Sequence, residues 1–522
     1  MLQSIVSFLI VILLFQLPLF SQTELTPNEI PYHLKLAEYI QLENLKHHVY
    51  ALAADSMQGR DTGEPGGIMA GNYIERHFKS FGIPPIGDTT YRQTMTVSWL
   101  RWEENEIRVN DNTTMRNFWD YLPMPKDNRT MSDWEINEIV FGGYGISTPD
   151  YADLPKNEKS HKVLLIFSGE PTGMDTQIEL SHKLTEAGKA GYKLVLVIEE
   201  NLRDLVLSNR RSFFRPLRPG TPAEPAVGQP NVIHISTNFA EKLAPQLFDD
   251  LSDDISNQPK LDKLSGKTYS TQLFINLIKH LRVLEDDNIL GYIEGTDPEK
   301  KHELIILTAH YDHVGQTEEE IFYGANDNAS GTAAVMEIAR AFQIAKDNGI
   351  GPARSVLAIL LTGEERGLLG SAYYVENPVF PLENTIANIN IDMLGRVDAK
   401  HKELGISKYI YPIGSDRLSS ELHEILLEVN EKYSNLHLDF TYNDPKDPNR
   451  YYFRSDHYNF ARKGIPAIFF FNGLNDDYHK SSDTPDKIDY KNMTAVSRHI
   501  FHLAWELANR KKAVEADLWE GE

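Results

Sequence analysis

The spacing of apolar positions predicts different secondary structure in different parts of the chain. From about residue 33 to residue 90, apolar side chains recur every three or four residues, as at Ala70, Tyr73, Ile74 and Phe78, and this spacing predicts helices. From about residue 284 onward, apolar strands alternate with amphipathic helices. This alternation is typical of a doubly wound α/β domain.

The segment from about residue 92 to residue 282 has another pattern. It contains short β-like runs at residues 138–141, 162–167 and 194–198, one predicted helix from Ser181 to Ala190, and a proline-rich loop at residues 215–230. The pattern changes at both ends of the segment. We therefore predict that residues 92–282 form a separate inserted module, and that residues 22–91 and 283–522 together form the α/β domain.

The first 21 residues predict a secretory signal peptide. Residues 5–20 are almost wholly apolar, and the chain becomes polar after Ser21, so cleavage is expected near Ser21–Gln22. The expected location is then periplasmic or extracellular. A retained N-terminal anchor is the alternative, but Pro18 and the shortness of the run disfavour a spanning helix. No other stretch is long and apolar enough, so no stable membrane span is expected in the mature protein.

Composition narrows the choice of partners and cofactors. The chain has 522 residues, of which 41% are hydrophobic, and this composition excludes disorder as the main state. With 52 basic and 75 acidic residues the formal net charge is −23, which argues against a nucleic-acid partner. There is no cysteine, so a metal site must use His, Asp and Glu. No pattern predicts an oligomeric state.

Acidic and imidazole side chains follow the predicted strands of the α/β domain or stand in the loops behind them. These residues are His310, Asp312, Asp327, Glu364, Glu365, Asp392 and His479. Each has a structural explanation when taken alone, such as N-capping for Asp327. Together they would meet at the edge of an open α/β sheet where ligands bind. The donors suit zinc or a similar divalent ion and exceed what one ion needs, so we expect two metals ~3.5–4 Å apart with a carboxylate between them.

The motifs resemble those of the co-catalytic zinc aminopeptidases, a family that includes bacterial leucyl aminopeptidase, aminopeptidase Y and glutamate carboxypeptidase. The matching segments are residues 59–63, 308–315, 324–331, 362–371, 390–393, 455–457, 464–467 and 478–484. The resemblance implies a mixed, mainly parallel sheet flanked by helices and a di-zinc exopeptidase, most simply an aminopeptidase acting on peptides. The intervening segment, residues 92–282, contains the run at residues 142–146 and resembles the β-rich α+β protease-associated domain that many of these enzymes contain as an insert.

The resemblance also implies a role for each residue of the set. The implied zinc ligands are His310 and Asp392 for one ion, Glu365 and His479 for the other, and Asp327 as the bridge. Asp312 would orient His310, and Glu364 would be the general base for a metal-activated water. Tyr452 falls where some members have a tyrosine that stabilises the oxyanion. Asn328 stands where some members have a second Asp, a difference that is not expected to cost the metal.

Other functions remain open at this stage. Glutaminyl cyclisation occurs on a related fold and needs only one zinc, whereas the ligand set here is complete for two. A non-catalytic binding module would be expected to have lost ligands or the base. A carboxypeptidase would need a basic pocket for the substrate carboxylate. Arg450 and Arg454 lie close to the site in sequence, although surface charge is the simpler explanation for them.

Overall fold

A computed structural model describes residues 32–521, apart from residues 88, 111, 158, 160, 161, 175, 211, 212, 214–216 and 252–257. The predicted signal peptide lies outside these described residues. Among the helices of the described part, none combines the length and the apolar character that a transmembrane span requires.

Helices occupy both ends of the chain and the segments between the strands. The α-helices are Tyr32–Ala37, Leu42–Leu52, Pro65–Ser80, Leu180–Lys189, Leu202–Ser208, Thr237–Leu243, Pro245–Leu251, Gln258–Leu264, Gly331–Asp347, Leu369–Glu376, Ala399–Leu404, Ser420–Val429, His457–Ala461 and Tyr490–Asn509. Shorter 3-10 or π-helical turns are Asp55–Arg60, Pro125–Asp127, Ala325–Ser330, Leu382–Asn384, Asn430–Ser434, Thr441–Asn443, Tyr451–Phe453 and Pro485–Lys487. The helices predicted between residues 33 and 90 and near residues 181–190 are therefore present.

In the described part of the chain, fifteen strands are joined through backbone hydrogen bonds. They are β1 (Arg92–Val109), β2 (Thr113–Thr114), β3 (Tyr121–Leu122), β4 (Met131–Phe141), β5 (Val163–Phe167), β6 (Leu194–Glu199), β7 (Leu217–Pro219), β8 (Asn231–Ser236), β9 (Thr268–Ile293), β10 (Leu304–His310), β11 (Ser355–Leu361), β12 (Thr385–Ile391), β13 (Tyr409–Ile413), β14 (His437–Leu438) and β15 (Ala467–Phe471). The short strand β7 lies within the predicted proline-rich loop and pairs with β1.

The sheet that carries the site is mixed and mainly parallel, as predicted. Strands β15, β12, β10 and β11 lie side by side in that order and run parallel. Antiparallel strands flank them, with β13 beside β15 and β9 beside β11. Helices cover this sheet, so the doubly wound α/β architecture is confirmed.

Burial on both faces explains why these strands consist of continuous apolar runs. Every residue of β10 and β11 is buried. Ile305 and Leu307 pack into the large core that includes the helix Gly331–Asp347, whereas Leu304 and Ile306 pack into a smaller core on the other face. Side chains alternate between faces along a strand, so a strand covered on both sides is apolar at most positions.

Strands β1 and β9 connect this sheet to a second group of strands. They pair antiparallel from Arg92 with Ile289 to Val109 with Leu273. Near its C-terminal end β9 pairs with β11, and near its N-terminal end it pairs with β4. The strands β4, β5, β6 and β8 then run parallel and enclose a separate hydrophobic core.

The two predicted boundaries of the inserted module lie at β1 and β9. The limit at 91/92 coincides with the first residue of β1, whereas the limit at 282/283 lies inside β9, which continues without interruption to Ile293. Residues 92–282 as an independent module, and its identity as a protease-associated domain, remain predictions.

Candidate metal centre and active-site cleft

The predicted site residues lie at the carboxyl ends of the parallel strands. They are His310 at the end of β10, Glu364 and Glu365 after β11, Asp392 after β12, His479 after β15, and Asp327 in the turn before the helix Gly331–Asp347. Parallel strands all present their carboxyl ends at one edge, so side chains distant in sequence converge there.

His310, Asp327 and Asp392 form one group of candidate ligands. Nε2 of His310 lies 3.3 Å from Oδ1 of Asp392 and 3.4 Å from Oδ1 of Asp327. All three side chains are buried. Ligand atoms of a tetrahedral ion with bonds of about 2.0–2.2 Å are about 3.3–3.6 Å apart, and the observed separations match this spacing.

A second group consists of His313, Asp327, Glu365 and His479. Nε2 of His479 lies 3.0 Å from Oδ2 of Asp327 and 3.0 Å from Oε1 of Glu365. Nδ1 of His313 lies 3.1 Å from the same Glu365 oxygen. Asp327 thus presents Oδ1 to the first group and Oδ2 to the second, which is the arrangement of a bridging carboxylate.

The donors of both groups fit divalent metal ions. Imidazole nitrogens and carboxylate oxygens without thiolates suit zinc. Nε2 of His479 is buried close to two carboxylate oxygens without hydrogen-bond geometry to either of them, as expected of a nitrogen that shares a cation with them. Burial alone would lower the pKa of His479, yet Asp327 and Glu365 raise this pKa to about 10, so the cluster attracts positive charge.

Asp312 forms hydrogen bonds with members of both groups of candidate ligands. Its carboxylate accepts hydrogen bonds from the backbone amides of Glu364, at 3.1 Å, and Glu365, at 3.3 Å. Its backbone carbonyl accepts from Nδ1 of His310 at 3.1 Å, while its carboxylate oxygen lies 3.6 Å from that nitrogen. The predicted orientation of His310 is thus made chiefly by the backbone of Asp312, and its carboxylate positions the two glutamates.

Two further side chains hold the acidic candidate ligands in place. The Ser455 hydroxyl donates to Oδ2 of Asp392 at 2.8 Å, which leaves Oδ1 facing His310. Asp483 accepts from the backbone amide of Asp327 at 3.2 Å. Such contacts fix the orientation of ligating carboxylates and are typical of the surroundings of protein metal sites.

The neighbouring glutamates differ in their electrostatic surroundings. Burial raises the pKa of Glu364 well above its usual range, and Glu365 and Asp392 add to this effect against the opposing charge of His310. Burial and Asp327 also disfavour ionisation of Glu365, but the hydrogen bond from His313 and the nearby imidazole of His479 outweigh them and lower its pKa to about 2. Glu364 belongs to neither group of candidate ligands. The structure therefore gives the two glutamates different environments.

A cleft of about 770 Å³ opens beside Glu364 and Glu365. Its other lining residues are Arg210, Leu217, Arg218, Pro219, Arg366, Gly367, Leu368, Leu369, Phe453, Arg454 and Tyr478. Four of these are arginines, although the whole chain is strongly acidic. Arg210 and the strand Leu217–Pro219 belong to the segment predicted to be inserted, so this segment borders the cleft.

Tyr452 and Tyr478 have different places relative to the cleft. The ring of Tyr452 packs against Gly414, the guanidinium of Arg417 and the ring of His457, and Tyr452 is not among the described residues that line the cleft. Tyr478 lines the cleft and stacks on His479 with 3.9 Å between ring centroids. Tyr478 therefore lies beside a candidate ligand and the cleft, whereas the role of Tyr452 stays a prediction.

Sequence analysis did not single out His313 or Arg60. The signal for His313 was its position three residues after His310. Arg60 is fully buried and donates to the backbone carbonyls of Leu52, Tyr311, Tyr323 and Gly324, which ties together the segments on either side of the site. A buried arginine of this kind depends on long-range contacts that no local pattern shows.

Part of the chain is similar to a known peptidase family. Residues 288–504, which carry all the candidate ligands, match Peptidase family M28. This match covers less than half of the chain. It confirms the resemblance to metallo-aminopeptidases that the sequence motifs indicated.

The chain is also similar to individual proteins. It is 33% identical over 141 residues to aminopeptidase YwaD of Bacillus subtilis, covering 26% of this chain and 28% of the relative. It is 34% identical over 131 residues to a glutamate carboxypeptidase 2 homolog of Caenorhabditis elegans, covering 25% of this chain and 16% of the relative. The alignments thus span less than a third of either relative. The solved structure of BSAP, a zinc aminopeptidase from Bacillus subtilis, has a TM-score of 0.46 and 18% identity, covering 92% of this chain and 98% of that one.

Proposed function

We propose that this chain is a di-zinc metallo-exopeptidase of the M28 type that removes N-terminal residues from peptides. The observation that carries the proposal is the shared use of Asp327. One of its oxygens faces His310 and the other faces His479, so two ions held by the two groups would be neighbours. The cleft beside Glu364 provides room for a peptide end.

Zinc held by these residues would supply a Lewis acid for the substrate carbonyl and a water of lowered pKa. Glu364 borders the cleft, and its raised pKa suits a group that accepts a proton on its carboxylate and returns it to the leaving amine. The hydroxyl of Tyr478, beside His479, would donate a hydrogen bond to the oxygen that becomes negative in the transition state.

The arginines of the cleft favour carboxypeptidase activity as a second candidate. Arg454, noted in the sequence for its nearness to the site, lines the cleft together with Arg210, Arg218 and Arg366. Arg366 is already paired with Asp61, with one hydrogen bond of 2.9 Å. Arg450, in contrast, stacks on Phe453 and is not among the described residues that line the cleft. A guanidinium in this place could bind the C-terminal carboxylate of a substrate.

A substrate panel distinguishes these activities. The purified, zinc-loaded protein is expected to release leucine from leucylglycinamide and to leave N-acetyl-leucylglycinamide intact. Release of a C-terminal amino acid from an N-acetylated dipeptide with a free carboxylate would instead show a carboxypeptidase. Loss of ammonia from an N-terminal glutamine with formation of pyroglutamate would show a cyclase. Failure to act on any of these compounds while both zinc ions are bound would favour the binding module.

We also propose that the protein is exported, on the basis of the apolar run that ends near Ser21. N-terminal sequencing of the protein produced in its secreting host is expected to begin near Gln22. Recovery of the intact Met1 terminus in the membrane fraction would contradict cleavage and favour the retained anchor.

A further inference from the structure

A second cluster of possible metal ligands lies at the edge of the catalytic sheet. It consists of His401 in the helix Ala399–Leu404, His437 in β14 and Asp439 directly after β14. One ligand atom from each of the three lies within 4.8 Å of the others. The cluster shares no residue with the two groups that meet at Asp327.

The His401 ring is held in the orientation that a metal ligand requires. Its Nδ1 donates to Oδ1 of Asp398 at 2.8 Å, and because a carboxylate only accepts, the proton lies on Nδ1. Asp398 is itself fixed by the His401 amide at 2.8 Å and by the Tyr411 hydroxyl at 2.6 Å. The ring stacks on Tyr409 with 3.4 Å between centroids. In metal-ligating histidines, the ring nitrogen that does not bind the metal usually donates a hydrogen bond to an acceptor such as a carboxylate.

The other ring nitrogen of His401 points into the cluster. His401 is fully buried, and its Nε2 makes no hydrogen bond to any residue that the structure describes. This nitrogen lies 3.4 Å from Oδ2 of Asp439. With the proton on Nδ1, Nε2 carries a lone pair, and a buried lone pair without a partner is costly unless a cation binds it.

The remaining members of the cluster leave one side open to solvent. Asp439 has its Oδ1 occupied by the amide of Thr441 at 2.9 Å and the hydroxyl of the same residue at 2.5 Å, so Oδ2 is the oxygen that faces His401. His437 is exposed, with its ring centroid 5.7 Å from that of His401, so rotation of its side chain can bring a nitrogen closer. An ion can therefore enter from the side of His437.

One cation already competes for Asp439. Nζ of Lys400 lies 2.5 Å from Oδ2 of Asp439. The Lys400 side chain is 45% exposed, so it can move into solvent when a divalent ion takes its place. Lys400 should therefore weaken metal binding without preventing it.

We propose that His401, His437 and Asp439 bind a divalent transition-metal ion, with zinc favoured by the two imidazoles and one carboxylate. The ion would link the helix Ala399–Leu404 to β14 and so stabilise this edge of the sheet. Three protein ligands leave a fourth position for water. The site is independent of the proposed peptidase activity, since none of its ligands borders the cleft.

The test compares zinc binding by the full-length protein and by variants at the exposed ligand. His437→Ala is expected to bind one zinc equivalent fewer than the unchanged protein. Its Tm is also expected to rise less when zinc is added, because the ion no longer stabilises this edge of the sheet. Peptidase activity should stay unchanged. His302→Ala replaces another exposed histidine outside the cluster and is the matched control. Lys400→Met should lower the Kd of the additional zinc by roughly five- to tenfold, because it removes the competing ammonium group.

Two results would overturn the proposal. The first is equal zinc content in His437→Ala and the unchanged protein under saturating zinc. The second is an unchanged zinc affinity in Lys400→Met, together with a His401 imidazole that NMR shows to be protonated on both nitrogens. His401 would then lie as a cation between Asp398 and Asp439, and the cluster would be a salt bridge.

Discussion

Glu364→Gln is expected to lower the turnover number by a factor of about 10²–10⁴, the usual contribution of general acid–base catalysis, while the metal content stays nearly unchanged. The amide has the shape of the carboxylate but cannot accept a proton. Glu364 belongs to neither group of candidate ligands, and its backbone amide, which donates to Asp312, is unaffected by the substitution. Steady-state kinetics and metal analysis of the same preparation give both quantities.

Glu365→Gln is the matched control for this experiment. It makes the same chemical change one residue away, but at a carboxylate whose Oε1 lies 3.0 Å from His479 and 3.1 Å from His313. Loss of its charge should weaken metal binding, and activity should fall with the metal content. The reverse pattern, in which Glu364→Gln empties a metal position and Glu365→Gln retains both ions, would exchange the two roles.

Asp327→Ala is expected to cause the greatest loss of metal of any single ligand substitution. Each of its two oxygens faces a different histidine, so its removal deprives both positions of an anionic ligand. The zinc content should fall by about two equivalents relative to the unchanged protein, and activity should be lost. Metal analysis at saturating zinc, followed by desalting, measures this directly.

Glu337→Gln is a suitable control because Glu337 is another buried carboxylate in the helix that follows Asp327. It pairs with Arg340 and His48 and lies in neither ligand group. This variant should retain the full zinc content even if its stability decreases. Two catalytic zinc ions retained by Asp327→Ala would remove the bridging assignment.

Much of the candidate site could be predicted from the sequence, because several of its residues directly follow strands that can be recognised in the sequence. The apolar runs of β10, β11, β12 and β15 are buried on both faces, so each strand and its end could be recognised locally. Parallel strands then bring His310, Glu365 and Asp392 to one edge. This reasoning depends only on strand direction and burial, which local sequence encodes well.

The extent of β9 could not be predicted in the same way. The run Glu285-Asp286-Asp287 interrupts the apolar pattern shortly after the predicted boundary at 282/283. In the structure Asp286 accepts from the Thr362 hydroxyl at 2.7 Å, and Asp287 pairs with Arg92 at 2.6 Å. These partners are distant in sequence, and they allow a charged stretch to remain part of a long strand.

The surroundings of the tyrosines and the second histidine cluster also depend on contacts between residues that are distant in sequence, so they could not be predicted locally. The position of Tyr452 three residues before Ser455 does not determine which way its ring packs, whereas Tyr478 was adjacent to a predicted ligand. His401 stacks on Tyr409 of β13, which pairs with His437 of β14, so these long-range contacts bring the two histidines together and no local motif marks them.

Anomalous diffraction at the zinc edge, on crystals of the full-length protein grown with zinc, tests the central claim most directly. We predict two peaks on either side of Asp327, one in contact with His310 and Asp392 and the other in contact with Glu365 and His479, independent of any peak at His401. A single peak at this centre, or zinc bound there without Asp327 between two ions, would contradict the account.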